Sequence, residues 1–214
     1  MDETLQNVLG SASPHTLDIA ASYATFASQG RQRDAHIISS VTNGAGAVSY
    51  SPSTDGEKAF DEDVMADATY AMQQVVNSGS GKTALALNRP VAAKTGSSSD
   101  NKSAQFVGFT PQVVTAVTLY QTGTDGSEES IEPWGDYEEI TGSTYPADIF
   151  INYMKVAHEG LEVEDFPEPA DIPATRGGTV PETANPTGEP EEEATATPTA
   201  QPEATQAPSA APTP

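Results

Sequence analysis

The 214-residue chain contains no cysteine, which excludes a disulfide framework, a thiolate metal site and a cysteine nucleophile. That absence fits a reducing compartment and equally an exported protein that never used disulfides. Basic residues are scarce: nine Lys and Arg stand against 31 Asp and Glu, for a formal charge of -22. With the N-terminal Lys and Arg scattered rather than clustered, there is no electrostatic footprint for a phosphate backbone, so nucleic acid is excluded as a partner. The three histidines, His15, His36 and His158, are too far apart for metal-ligand spacing and are expected to be packing or surface residues. Neither a metal site nor a cofactor is implied. No apolar run approaches the roughly 18 to 20 residues that span a bilayer, and MDETLQNVLG has two acids where a signal peptide carries basic residues. As written, the chain is expected to hold neither anchor nor export signal.

Only 36% of the residues are hydrophobic, low for one fully packed unit, so a single medium domain with poorly ordered sequence attached fits best. The charge locates the division: residues 1–120 carry a net -4, residues 121–176 a net -12, and residues 177–214 a net -6 with no base. From Gly177 onward the chain is built mainly from Pro, Thr, Ala, Glu and Gln, with eight prolines, no aromatic residue and only Val180 as a branched apolar side chain. Such a segment cannot bury enough surface to offset chain entropy. It is expected to be a disordered tail over 176–214, either an extended polyproline-like spacer or a passive solubilising segment.

Upstream, three segments have helical periodicity. Residues 14–29 carry Leu17, Ile19, Ala20, Tyr23, Ala24, Phe26 and Ala27 on one broad face, with Pro14 in the first turn and Gly30 as the stop. Residues 61–77 open on Asp61, Glu62 and Asp63 and line Met65, Ala68, Met72 and Val75. Residues 146–158 start at Pro146, stack Ile149, Phe150, Tyr153, Met154 and Ala157, and close at Gly160. Between them, residues 36–50 predict a hairpin in which His36-Ile37-Ile38 faces Ala47-Val48-Ser49-Tyr50 about an Asn43-Gly44 turn. Residues 91–96, 104–109 and 113–120 predict three strands, the last two antiparallel about Thr110-Pro111-Gln112. An α+β fold follows, an antiparallel sheet packed by helices.

The candidate chemistry is Lys94-Thr95-Gly96-Ser97, at the end of one predicted strand and before a polar loop, Ser98 to Ser103. Lysine supplies a fixed positive charge, two hydroxyls can hold a carboxylate, and glycine removes the side chain that would keep a substrate from the strand edge. A substrate lying antiparallel to that edge would gain main-chain hydrogen bonds as well.

With its flanks, Asn77 to Tyr120, NSGSGKTALALNRPVAAKTGSSSDNKSAQFVGFTPQVVTAVTLY, resembles the C-terminal half of the transpeptidase domain of class A penicillin-binding proteins. SPHTLDIAASYATFASQG is similar to the helix before a hairpin in that family, and TYPADIFINYMKVAHEGLEVEDFPEPADI to its C-terminal helix and Phe-Pro segment. The resemblance covers roughly residues 10–175, giving a division into 1–175, a C-terminal portion of the transpeptidase domain, and the tail 176–214. It implies a partial penicillin-binding transpeptidase fold whose earlier strands precede Met1, so an unpaired sheet edge and weak cooperativity or aggregation are expected. It also implies an extracytoplasmic, cell-envelope location, and as partners a D-Ala-D-Ala stem peptide of peptidoglycan and β-lactams. By resemblance Lys94 is the catalytic lysine of the family's third motif, with a part in the electrostatics and proton relay around a reactive serine. Thr95 and Ser97 bind the terminal carboxylate, Gly96 keeps the edge open, and the Ser97 N–H is one of two oxyanion donors.

That family also needs S-x-x-K, which supplies the nucleophile, and S-x-N. Ser99-Asp100-Asn101-Lys102 matches both by letter, yet it lies in the loop just after the KTG motif, where no helix places the lysine one turn from the serine. A solvated turn is expected there, and the isolated chain is expected to lack transpeptidase activity. Gly79-Ser80-Gly81-Lys82-Thr83 ends like a phosphate loop but has Val76 where the first glycine belongs. It is expected to be a helix-to-strand connection bordering the groove. Gln105 stands where relatives usually have tryptophan, and Ser97 where threonine is common. The acidic run Glu128 to Glu139, with Trp134 and Tyr137, is expected to be a charged surface loop. A non-catalytic cell-surface module and a β-lactam sensor remain alternatives to the transpeptidase.

Overall fold

A computed structural model describes residues 13–173. Helix α1 (Thr16–Ala27) leads into a two-residue strand β1 (Arg31–Gln32). A small hairpin follows, β2 (Val41–Thr42) with β3 (Val48–Tyr50), and then β4 (Glu57–Lys58), which pairs antiparallel with β1. Helix α2 (Glu62–Asn77) and a 3-10 helix (Lys82–Leu87) precede the main sheet. That sheet consists of β5 (Ala92–Ser97), β6 (Ser103–Phe109), β7 (Val114–Thr122) and β8 (Glu128–Glu129) in the order β5-β6-β7-β8, all neighbours antiparallel. Helix α3 (Tyr145–Ala157) is the last helix among the described residues. The α+β class and the three central strands follow the sequence expectation, and no described helix is long and apolar enough to cross a membrane.

Alternation along β6 sends its two largest aromatics to opposite faces of the sheet. On one face Phe106 meets Phe150 of α3 with ring centroids 4.7 Å apart. On the other, Phe109 takes Tyr23 and Phe26 of α1 and the Phe166 ring, at 6.2, 6.4 and 5.5 Å. Phe106, Phe109 and Phe150 are fully buried, and each contributes about 1.5–3 kcal/mol by leaving water. Both faces are thus covered, whereas the edge of β5 away from β6 and, over Val114–Tyr120, the edge of β7 away from β6 have no strand partner among the described residues.

Two helices are turned slightly from the expected faces. Helix α2 buries Met65, Ala66, Thr69 and Val76 rather than a stripe through Ala68 and Met72. In α3, Phe150, Ile151 and Met154 are buried, while Ile149 and Tyr153 are exposed. Periodicity fixes the spacing of a stripe; which of two adjacent stripes is covered depends on where the sheet lies.

The hairpin departs more. Its paired arm is Val41–Thr42, and His36-Ile37-Ile38 forms no strand. The turn is the reason: Asn43 Oδ1 accepts the N–H groups of Ala45 and Ala47, both at 3.0 Å, and Gly46 takes φ 80°. The bend therefore spans Asn43–Gly46 and puts Thr42 opposite Val48. Ile37 and Ile38 are exposed, so no packing extends the pairing towards them.

The end of β5 remote from the KTG motif is tied down by a polar knot. Thr110 Oγ1 accepts the N–H groups of Gln112 and Val113 at 3.2 and 3.1 Å and lies 2.9 Å from His158 Nε2. His158 Nδ1 is 2.7 Å from the Met154 carbonyl oxygen. Because the Thr110 oxygen already accepts two bonds, its proton goes to Nε2, which leaves the neutral imidazole protonated on Nδ1. Arg89 donates to Gln112 Oε1 and to the Leu161 carbonyl, each at 3.2 Å. Beyond α3 the chain runs as an extended strap whose Asp171 and Ile172 N–H groups donate to Asp67 of α2 at 3.0 and 2.9 Å. Those bonds, chiefly the one from Ile172, hold the Asp67 carboxyl below its ordinary pKa. The expected tail lies outside the described residues.

Candidate active-site strand

The four residues singled out in the sequence occupy the last four positions of β5. Register fixes how they are presented. Ser98 N–H donates to the Ser103 carbonyl at 3.0 Å across the tight β5–β6 connection. Main-chain groups alternate along an antiparallel pair, so Lys94 and Gly96 direct theirs at β6, and Thr95 and Ser97 turn N–H and C=O outward to the open edge. The Lys94 ammonium sits at that edge, donating to the Thr95 carbonyl at 2.8 Å. Lys94 and Ser97 are exposed, Thr95 and Gly96 half-buried.

Side-chain alternation places the hydroxyls of Thr95 and Ser97 on the face that also carries Ala93, Ala104 and Phe106. Thr95 Oγ1 lies 2.7 Å from Ser80 Oγ, in the loop between α2 and the 3-10 helix. Ser97 Oγ accepts the Gly142 N–H at 3.2 Å. Gly142 is pressed onto the sheet: a Cβ there would overlap the Gln105 carbonyl oxygen and stand 2.8 and 2.9 Å from the Gly96 oxygen and nitrogen. No side chain other than hydrogen fits. Ser80 belongs to the segment expected to border the groove, whereas Gly142 had no sequence signal, since its partner is 45 residues away.

Gly142 arrives at the end of the acidic run. Within that run Glu128 and Glu129 form β8 and Ile131 is buried against Ala104, as is Ile140 immediately after the run. Trp134 stacks on Tyr145 at 4.9 Å with 6° between planes. Tyr137 O–H donates to Asp148 Oδ2 at 2.8 Å, a bond that raises the phenol pKa. The segment expected to be only a charged loop is therefore also a buttress with two apolar anchors.

The sequence decoys take the following forms, the segment 79–83 leading from α2 into the 3-10 helix Lys82–Leu87 rather than directly into a strand. Ser99–Asn101 is a single 3-10 turn, exposed at Ser99 and Asp100, in which Asp100 and Asn101 take φ 56°, so Lys102 does not follow Ser99 by one α-helical turn. Gly79-Ser80-Gly81 follows α2 rather than a strand. His15 and His36 are exposed, and His158 is buried. Gln105 Nε2 donates to Thr118 Oγ1 at 2.9 Å, spending its amide on β7.

Comparison with known proteins gives the family to which the chain is related. The model of the penicillin binding protein transpeptidase domain matches residues 11–133. Penicillin-binding protein 1A of Mycolicibacterium smegmatis is 36% identical over 195 residues, covering 86% of this chain and 24% of that protein. Its counterpart from Mycobacterium tuberculosis is 33% identical over 174 residues, 77% of this chain and 20% of that one. The chain thus spans about a quarter of the length of these curated relatives. The structure of penicillin-binding protein PonA1 from Mycobacterium tuberculosis superposes with a TM-score of 0.64 at 30% identity, over 77% of this chain and 43% of that one. Its complex with penicillin V gives 0.62 at the same identity and coverage. The chain belongs to the penicillin-binding protein transpeptidase-domain family and is homologous to class A penicillin-binding proteins.

Proposed function

We propose that β5 is one wall of the acyl-transfer site of a serine D,D-transpeptidase that cross-links peptidoglycan and is acylated by β-lactams. The observation that carries this is Lys94-Thr95-Gly96-Ser97 on an open sheet edge, with two hydroxyls on one face and the Ser97 N–H directed outward. A stem peptide ending in D-Ala-D-Ala lies along that edge, its terminal carboxylate on Thr95 and Ser97. Gly96 lets the peptide approach, and the Lys94 charge favours the anion and lowers the cost of deprotonating a serine nucleophile. That serine attacks the carbonyl of the penultimate D-Ala; the Ser97 N–H is one of two donors to the oxyanion, each worth about 3 kcal/mol of transition-state stabilisation. Terminal D-Ala leaves, and the amine of a neighbouring stem peptide takes the acyl group. The relative solved with penicillin V supports a β-lactam as the mimic of that peptide.

The nucleophile is not supplied by Ser99, whose turn cannot align it with a lysine. Residues 1–175 form a portion of the catalytic domain, residues 176–214 a tail, and the setting is the extracytoplasmic cell envelope. The test is mass spectrometry of the purified 214-residue chain after incubation with benzylpenicillin, together with an assay for D-Ala released from a D-Ala-D-Ala peptide. No covalent adduct and no release are expected; either one would refute the assignment of the nucleophile to sequence beyond these residues. An open frame upstream of Met1 carrying S-x-x-K and S-x-N is the complementary expectation, and unrelated sequence there would leave β5 without its partner.

A further inference from the structure

Each hydroxyl on β5 has a second partner standing behind it. The Gly142 N–H can only donate, so it occupies a lone pair of Ser97 Oγ and leaves the Ser97 proton to be given elsewhere. Between Ser80 and Thr95, 2.7 Å apart, either hydroxyl can donate until a third group fixes the direction. A carboxylate fixes it, because an ionised carboxylate only accepts. Thr95 then donates to the carboxylate, and Ser80 donates to Thr95.

We infer that Ser80 is a positioning residue: with the Gly142 N–H, its O–H sets both hydroxyls of β5 to present protons, so that the strand selects a ligand ending in a carboxylate over the same ligand with a neutral end. The inference rests on the reading of β5 as a carboxylate-binding wall. Each link of a hydrogen-bond chain polarises the next, so the Thr95 proton is a better donor with Ser80 behind it.

The loop holding Ser80 is fixed from both sides. At its start the Ser78 and Gly79 N–H groups donate to the Gln74 carbonyl at 3.0 and 3.1 Å, and Gly81 N–H donates to the Val75 carbonyl at 2.9 Å. At its end Ala84 and Leu87 of the 3-10 helix are buried in the core. Ser80 is itself exposed, so truncating its side chain removes a hydroxyl and no packing.

The experiment is calorimetric titration of the 214-residue chain with N-acetyl-D-Ala-D-Ala and with its C-terminal amide. Wild type is expected to prefer the acid. Ser80→Ala is expected to weaken the acid about fivefold, the effect of one ordinary hydrogen bond, and to leave the amide unchanged. Ser80→Thr, which keeps the hydroxyl, restores the preference. On a Thr95→Val background Ser80→Ala has no further effect, because Ser80 acts through Thr95. An undiminished acid preference in Ser80→Ala, an equal loss for acid and amide, or no recovery in Ser80→Thr overturns the inference while β5 remains a carboxylate wall. A wild-type chain that does not favour the acid overturns the carboxylate reading itself, and the inference with it.

Discussion

Replacing Gly142 by alanine tests the buttress most severely, because the atoms its methyl would meet are backbone and cannot rotate away. The Cβ would overlap the Gln105 carbonyl and sit 2.8 Å from the Gly96 oxygen, against an ordinary contact of 3.4 Å or more. The loop must lift by at least about 0.6 Å, and more to clear Gln105, on the scale at which overpacking costs about 1–3 kcal/mol. The Gly142 N–H to Ser97 Oγ bond is already 3.2 Å long, so such a shift takes it out of hydrogen-bond range. The single tryptophan reports on the event, since Trp134 lies eight residues before Gly142 and stacks on Tyr145, the first residue of α3. Gly142→Ala is expected to shift Trp134 emission to the red, to speed thermolysin cleavage within residues 130–142, and to lower the urea midpoint. Unchanged emission, cleavage and midpoint would refute the claim that Gly142 is held against the strand.

Three further outcomes follow from the packing. Thr110→Val deprives the Gln112 and Val113 N–H groups and His158 Nε2 of their shared partner, and urea unfolding should show a loss of about 1–3 kcal/mol for each group left buried and unpaired; a change within experimental scatter would mean that water replaces the hydroxyl. Phe150→Ala empties the space against Phe106 and should cost about 3–5 kcal/mol in the same assay; a loss under about 1 kcal/mol would show the ring to be poorly packed. Asp67 is held below its ordinary value of 3.8 by the Ile172 N–H and then by that of Asp171, so its hold on the strap is complete above that value and is lost as pH falls below it. Limited proteolysis should therefore release residues 161–173 only in acid for wild type and at neutral pH for Asp67→Ala; equal cleavage in both proteins across that range would sink the proposal.

The parts legible in the sequence are those whose signal is local. Helices α1 to α3 carry a 3.6-residue stripe with Pro or acids at the start, and the strands of the KTG region are apolar runs separated by Thr110-Pro111-Gln112. Even there the stripe of α2 is displaced to Ala66 and Thr69, because coverage is a tertiary matter. Strands β1, β4 and β8 are two residues each, too short for any period to register. The hairpin arm differs from the sequence expectation because Asn43-Gly44 looks like a two-residue turn, while the Asn43 side chain organises a longer one closed at Gly46. The site divides in the same manner. Lys94 to Ser97 are contiguous and stand out in a motif, whereas Ser80 and Gly142 reach them across 15 and 45 residues.

The knot around Thr110 has a mechanical consequence for the strand that carries the chemistry. Near Val91, β5 emerges beside Arg89, which is bolted to the β6–β7 corner and to the exit of α3. Near Ser97 the crosswise support from beyond the sheet is lighter, the Gly142 N–H on Ser97 Oγ and the Ser80 hydroxyl on Thr95. The strand is thus a cantilever, clamped at its root and propped at its tip. Compliance belongs at the tip, where a ligand must slide in beside the edge, and the prop is the natural place to tune how far that tip can bend.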